Sequence, residues 1–197
     1  MTKEKGFTLI ELVVVLSVLA VLTAVLTPMV VNVIEDGRKA RARADVKAIG
    51  GSILAFNKDL NHWPIWASGT ATGPNDSAFK VLKSSEGDDP LVGDGSGWTV
   101  SGGDVGNIDG QLMTNAPGYP TSGQRRWLGP YLERIGSDPW GSRYLANVAK
   151  LKPAADFGSE AIYLLSAGPN KTIETKFSQK VGEAFIVGGD DFVYRIK

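Results

Sequence analysis

The chain has no cysteine and a single histidine, His62. Without cysteine no disulfide can form, so a head exported into an oxidising compartment must be stapled by packing or by a bound ion. One histidine, no thiol, no G-x-S-x-G, no H-E-x-x-H and no phosphate-binding glycine loop with its lysine leave none of the usual catalytic templates, and we read the chain as a non-enzyme. Neither sign of charge is in excess, with 21 basic and 21 acidic residues, so nothing global steers the protein to nucleic acid. The 24 glycines and 10 prolines indicate a loop-rich fold, but 43% hydrophobic content argues against wholesale disorder.

What the sequence does have is one long apolar run. From Leu12 to Val31 it carries no charge. At a rise of ~1.5 Å per residue this gives ~30 Å of helix, enough to cross a bilayer core. Glu11 sits one turn inside the run. A carboxylate there costs ~2.5–3.5 kcal/mol on insertion scales, so it needs a partner.

The residues around that carboxylate carry a resemblance. Lys5-Gly6-Phe7-Thr8-Leu9-Ile10-Glu11-Leu12 resembles the processing site of type IV pilins and of the pseudopilins of type II secretion. The resemblance implies cleavage by a prepilin peptidase between Gly6 and Phe7, and N-methylation of Phe7. It also implies pairing of Glu11 with the amino terminus of a neighbouring subunit, and a helix-loosening proline at Pro28. A secretory signal is the competing reading, but its apolar core spans roughly 7–15 residues and ends in a small-residue cleavage site, which this run lacks.

In chain order, residues 1–6 read as a leader, 7–34 as a membrane or filament-core helix, 35–62 as the amphipathic half of the same helix, and 63–197 as one head domain. Arg38, Lys39, Arg41, Arg43 and Lys47 outnumber the basic residues of the leader. A positive-inside count alone would therefore place the carboxyl-terminal side in the cytoplasm. The resemblance implies the opposite: single-pass insertion in the inner membrane with the head in the periplasm, then a periplasmic or extracellular filament. The basic residues read as a solvated face with ion pairs to Glu35, Asp36 and Asp45.

Val46, Ile49, Ile53, Phe56 and Leu60 recur at spacings of three and four, the stripe of a helix that packs one face on a core. Gly50 and Gly51 mark a weak point or a close contact. The helix is expected to end near Asn61, before Pro64, and would be a rod of ~80 Å from Phe7 if continuous.

The stretch from Ala67 to Gly123 reads mostly as a loop-rich insertion, with a short helix over Ala78–Lys83 and a short strand over Trp98–Val100. Asp88, Asp89, Asp94, Asp104 and Asp109 match no EF-hand spacing and read as turn residues. Asp138-Pro139-Trp140-Gly141 fits a type I turn with strands on either side. Glu160–Ser166, Glu183–Val187 and Asp191–Ile196 read as further strands. An antiparallel sheet laid on the helix stripe gives an α+β head.

Gly129-Pro130-Tyr131-Leu132, Asp138-Pro139-Trp140-Gly141 and Tyr144 together resemble the head of the major pseudopilin. That resemblance implies the type IV pilin-like fold and a calcium ion before the last strand. The ion would be held by Asn170, Asp190 and Asp191 with carbonyls such as those of Leu165 or Ser166; the alternative is that Asp190 and Asp191 merely form a turn. The implied partners are further copies of the chain in a homopolymer, minor pseudopilins or pilins, the prepilin peptidase, an inner-membrane assembly platform, and the lipid bilayer before assembly. Two other readings stay open at this point: a type IV pilus major pilin for motility or adhesion, and a signal-anchored periplasmic enzyme or binding module.

Overall fold

A computed structural model describes residues 6–69, 78–151 and 159–196. The basic leader residues Lys3 and Lys5 lie outside them. Helix α1 runs from Leu9 to Leu60 without a break at Pro28. The chain divides into two compact units at Arg38 and Lys39, each taken by itself below.

In the first unit every large apolar side chain from Leu9 to Ile34 is exposed. This helix is long and apolar enough to cross a membrane. Its backbone is bonded within the helix, as a lipid-embedded segment requires. Its hydroxyls are satisfied too: Ser17, Thr23 and Thr27 donate to the carbonyls of Val14, Leu19 and Thr23. Near its end Glu35 accepts from Arg38 at 2.6 Å.

In the second unit the periodic stripe does what its spacing indicates. Val46, Ile49, Ile53, Phe56 and Leu60 are all buried in one apolar core. Asn61 terminates the helix in a left-handed conformation (φ 57°), its N–H returning to the carbonyl of Asn57 at 2.8 Å. Arg41 pairs with Asp45 at 3.4 Å.

Against the stripe lies a five-stranded sheet built from β1 (Val81–Lys83), β3 (Val105–Asn107), β4 (Leu145–Asn147), β5 (Tyr163–Ser166) and β7 (Phe192–Arg195). Its order is β3-β1-β4-β5-β7. A separate pair joins β2 (Leu91–Val92) to β6 (Thr172–Ile173). Register explains the two cores. Leu82, Ala146 and Leu164 stand side by side and point to the helix, while Val81, Leu145, Tyr163 and Leu165 face the opposite side. There Trp98, Ile173, Phe177 and Phe185 cover them. With both faces buried, β5 is a continuous apolar run rather than an alternating one.

Several expectations need correction. The sheet is mixed: β1 and β3 run parallel. The Ala78–Lys83 stretch yields strand β1 rather than a helix, because Leu82 and Val81 are needed on opposite faces of the sheet. Trp98–Val100 and Glu183–Val187 are not strands. Trp98 is fixed through its indole N–H to the carbonyl of Thr175 at 2.9 Å. In the second segment Ile186 bonds on both backbone groups to the side-chain amide of Gln179, which takes the place of a neighbouring strand. The Asp138 turn has β4 after it but no strand before it. The insertion is not mere loop: it supplies β1, β2, β3 and helix α2 (Ile108–Leu112), so two of the five main strands come from it.

Candidate functional site: the amino-terminal motif and the tail loop

Thr8 stands immediately before the first residue of α1 and Glu11 three residues later, the spacing of a capping box. The hydroxyl and backbone N–H of Thr8 both donate to Glu11 Oε2 at 2.8 Å, and the Glu11 N–H donates back to the Thr8 hydroxyl at 3.3 Å. The lone carboxylate of the apolar run is thus held by its own chain at the helix start. Gly6 has nothing within 4 Å of the place a side chain would occupy, and Phe7 is 90% exposed, so the bond between them is open to a peptidase.

In the head, the Asp138 turn is tied from both sides. The Asp138 carbonyl accepts from Gly141 N–H at 3.0 Å, and its Oδ1 accepts from the backbone of Trp140 and Ser142. Its Oδ2 accepts from the Ser166 hydroxyl at 2.7 Å, joining the turn to the end of β5. Trp140 stacks on Phe192 with rings 5.6 Å apart and 6° from parallel, and the Arg43 guanidinium lies over the Phe192 ring, 5.1 Å from its centroid. Tyr144 donates to Asp45 on α1 at 2.7 Å. Burial, followed by the hydrogen bond to Asp45 and then its charge, pushes the Tyr144 hydroxyl far above its ordinary pKa.

The tail loop closes between β5 and β7. Asp191 is 6% exposed; its Oδ2 accepts from the backbone of Glu174 and Thr175, while its Oδ1 is shut from solvent with no hydrogen-bond partner. Asp190 is arranged the same way, with Oδ2 accepting from Asn170 N–H at 3.2 Å and Oδ1 buried and unpartnered. Burial pushes the Asp191 carboxyl up, hydrogen bonds from Thr175 and Glu174 pull against it, and the like charge of Glu174 adds to the rise. Two orphaned carboxylate oxygens are costly unless something cationic meets them. Hard oxygen donors of this kind suit calcium.

The structure brings Asn170 to Asp190 across twenty residues of sequence, while Asp191 turns its Oδ2 to the backbone of Glu174 and Thr175. Asn170 differs from the aspartates, since its Oδ1 already accepts from Thr172 N–H at 2.7 Å. Among the described residues, no group of three or more His, Cys, Asp or Glu side chains is placed to hold a metal ion. Sequence reasoning missed Glu174, whose carboxylate accepts from the Asn170 side-chain amide at 3.0 Å. It also missed the Ser166–Asp138 link, because no local pattern marks either contact.

Residues 1–27 match the family model described as the prokaryotic N-terminal methylation motif. The chain is 24% identical over 175 residues to the type II secretion system core protein G of Escherichia coli (strain K12), covering 88% of each chain. It is 24% identical over 144 residues to the protein of the same name from Klebsiella pneumoniae, covering 73% of this chain and 74% of that one. No solved structure matches. The chain thus carries the N-terminal methylation motif of type IV pilin-like proteins and is similar, over most of its length, to type II secretion system core protein G.

Proposed function

We propose that the chain is the major structural subunit of a type II secretion pseudopilus, cleaved between Gly6 and Phe7, methylated on Phe7, and assembled through α1. One observation carries this reading: the methylation motif and the likeness to core protein G occur in the same chain, and the likeness extends through the head. It is this extension that favours a pseudopilus over a type IV pilus, since the motif alone serves both. The apolar face left exposed from Leu9 to Ile34 is covered by lipid before assembly and by other copies of the chain afterwards. The working role is structural, with the prepilin peptidase, an inner-membrane assembly platform and minor pseudopilins as partners.

Calcium belongs to the same proposal. Asp190 and Asp191 would hold the ion through the oxygens that now lack partners, with carbonyls of the loop completing the shell. Bound there, it would neutralise buried charge and fasten the loop to β7.

The test is replacement. Expressed in place of core protein G in a working type II system together with its prepilin peptidase, the chain is expected to enter filaments and to restore release of the exported proteins. Efficient processing with no filament and no secretion would reject the assembly role.

A further inference from the structure

Beside α1 the head contains a cavity of about 390 Å3, within the size range of small-ligand sites, that no part of the filament role occupies. Its charges balance: Arg41 and Asp45 line it from α1, and Glu86 and Arg134 line it from elsewhere in the head. Each arginine is only partly engaged. Arg134 donates through Nε and Nη2 to the two oxygens of Glu86 at 3.1 and 2.9 Å, yet its side chain is 75% exposed. Arg41 makes two long contacts, to Asp45 at 3.4 Å and to the carbonyl of Ser137 at 3.4 Å. Gly136 lies where these groups converge. A Cβ built on it would stand 3.8 Å from Glu86 Oε2 and 3.9 Å from Arg41 Nη2, so the lack of a side chain there keeps the space between them open.

We propose that this cavity receives the phosphoethanolamine head group of a bilayer lipid while the subunit is still in the membrane. Two guanidinium groups with N–H donors to spare suit a phosphate diester, which they grip through paired hydrogen bonds. The Glu86 lone pairs that Arg134 does not use accept from the ammonium. Charge selects the head group. Two cations and two anions match a zwitterion, whereas a head group of net negative charge leaves a carboxylate unmatched. Position selects a lipid: Arg41 follows Ile34, the last large apolar residue of the exposed run, by seven residues, ~10 Å of helix, within reach of the head-group layer. The inference rests on the membrane-resident stage of the pseudopilus reading and not on filament assembly.

The experiment is native mass spectrometry of the full chain, extracted into micelles from vesicles of equal parts phosphatidylethanolamine, phosphatidylglycerol and phosphatidylcholine. The unaltered chain is expected to retain phosphatidylethanolamine roughly tenfold over either of the others, since choline has no N–H for Glu86 and glycerol no cation. Arg134→Gln removes a phosphate donor and Gly136→Val fills the space, and each is expected to abolish that preference. Glu86→Gln, which keeps an acceptor for Arg134 and removes the charge, is expected to turn the preference to phosphatidylglycerol. Lys180→Gln, at an exposed cation outside the cavity, is expected to change nothing.

Equal retention of the three lipids by the unaltered chain would overturn the proposal, as would a preference that survives in both Arg134→Gln and Gly136→Val. If those two variants kept the preference but entered filaments poorly, the cavity would belong to a contact between subunits and the lipid site would fall. A chain that did not enter vesicles at all would remove the membrane stage of the pseudopilus reading and this inference with it.

Discussion

Gly50 on α1 lies directly under the ring of Tyr194 on β7: a Cβ built on Gly50 would stand 2.4 Å from Cδ1 and 2.5 Å from Cε1 of that ring. The glycine that weakens the helix locally is what lets helix and sheet edge approach. Gly51, one residue on, faces open space. Gly50→Ala gains about 1 kcal/mol of helix propensity, but overpacking against an aromatic ring costs about 1–3 kcal/mol. It is expected to destabilise the head, whereas Gly51→Ala is expected to stabilise it by up to about 1 kcal/mol. Melting of both variants beside the unaltered protein checks the pair, and equal shifts would contradict the contact.

Tyr144→Phe removes the hydroxyl that donates to Asp45 and leaves a half-buried carboxylate with less support. A hydrogen bond to a charged acceptor contributes about 1.5–3 kcal/mol, so denaturant titration is expected to show a loss toward the lower end. Asp45→Asn, which keeps an acceptor, is expected to lose less.

His62 is half-buried; burial, and then the charge of Arg125, holds its pKa below the ordinary histidine value. The unfolded chain therefore takes up a proton at higher pH than the folded one, and the stability from keeping His62 neutral is present above the unfolded pKa and lost as pH falls through about 6.5 and below. The melting temperature is expected to drop between pH 7.5 and 5.5, and His62→Gln to reduce that drop. An identical pH profile in the variant would contradict the shift.

Calcium is expected to raise the melting temperature of the full chain over that in chelator, because an ion at one hundred times its Kd stabilises the folded state by ~2.7 kcal/mol. Asp190→Ala with Asp191→Ala is expected to abolish the difference. Magnesium is expected to substitute poorly, as it demands a tighter octahedral shell.

Glu11→Val removes a charge that α1 holds by its own cap and would otherwise offer to a neighbour. The variant is expected to insert and to be processed, since apolar character rises, but to join filaments poorly because the partner for the incoming amine is gone. Normal filament yield, read by electron microscopy, would contradict the pairing.

How much of this was legible in the sequence depended on whether the governing contact was local. The α1 stripe from Val46 to Leu60, its end at Asn61 and the Asp138 turn follow from spacing and turn chemistry within a few residues, and all three are present. The Ala78–Lys83 stretch reads as a short helix but forms strand β1 over Val81–Lys83, because so short a run carries no usable period and its partners, β3 and β4, are remote in sequence. The Glu183–Val187 run had the composition of a strand, but a glutamine side chain met its backbone first. The two tail aspartates stand out as a pair; Glu174 does not, since only the closed loop brings its backbone N–H to Asp191 and its carboxylate to Asn170.

The most direct test is the intact mass of the subunit in filaments sheared from cells that express the chain with a prepilin peptidase and a type II assembly platform. The expected result is this chain beginning at Phe7 with one added methyl group. Filaments without the chain, or a chain in them that still begins at Met1, would contradict a processed, self-assembling pseudopilus subunit.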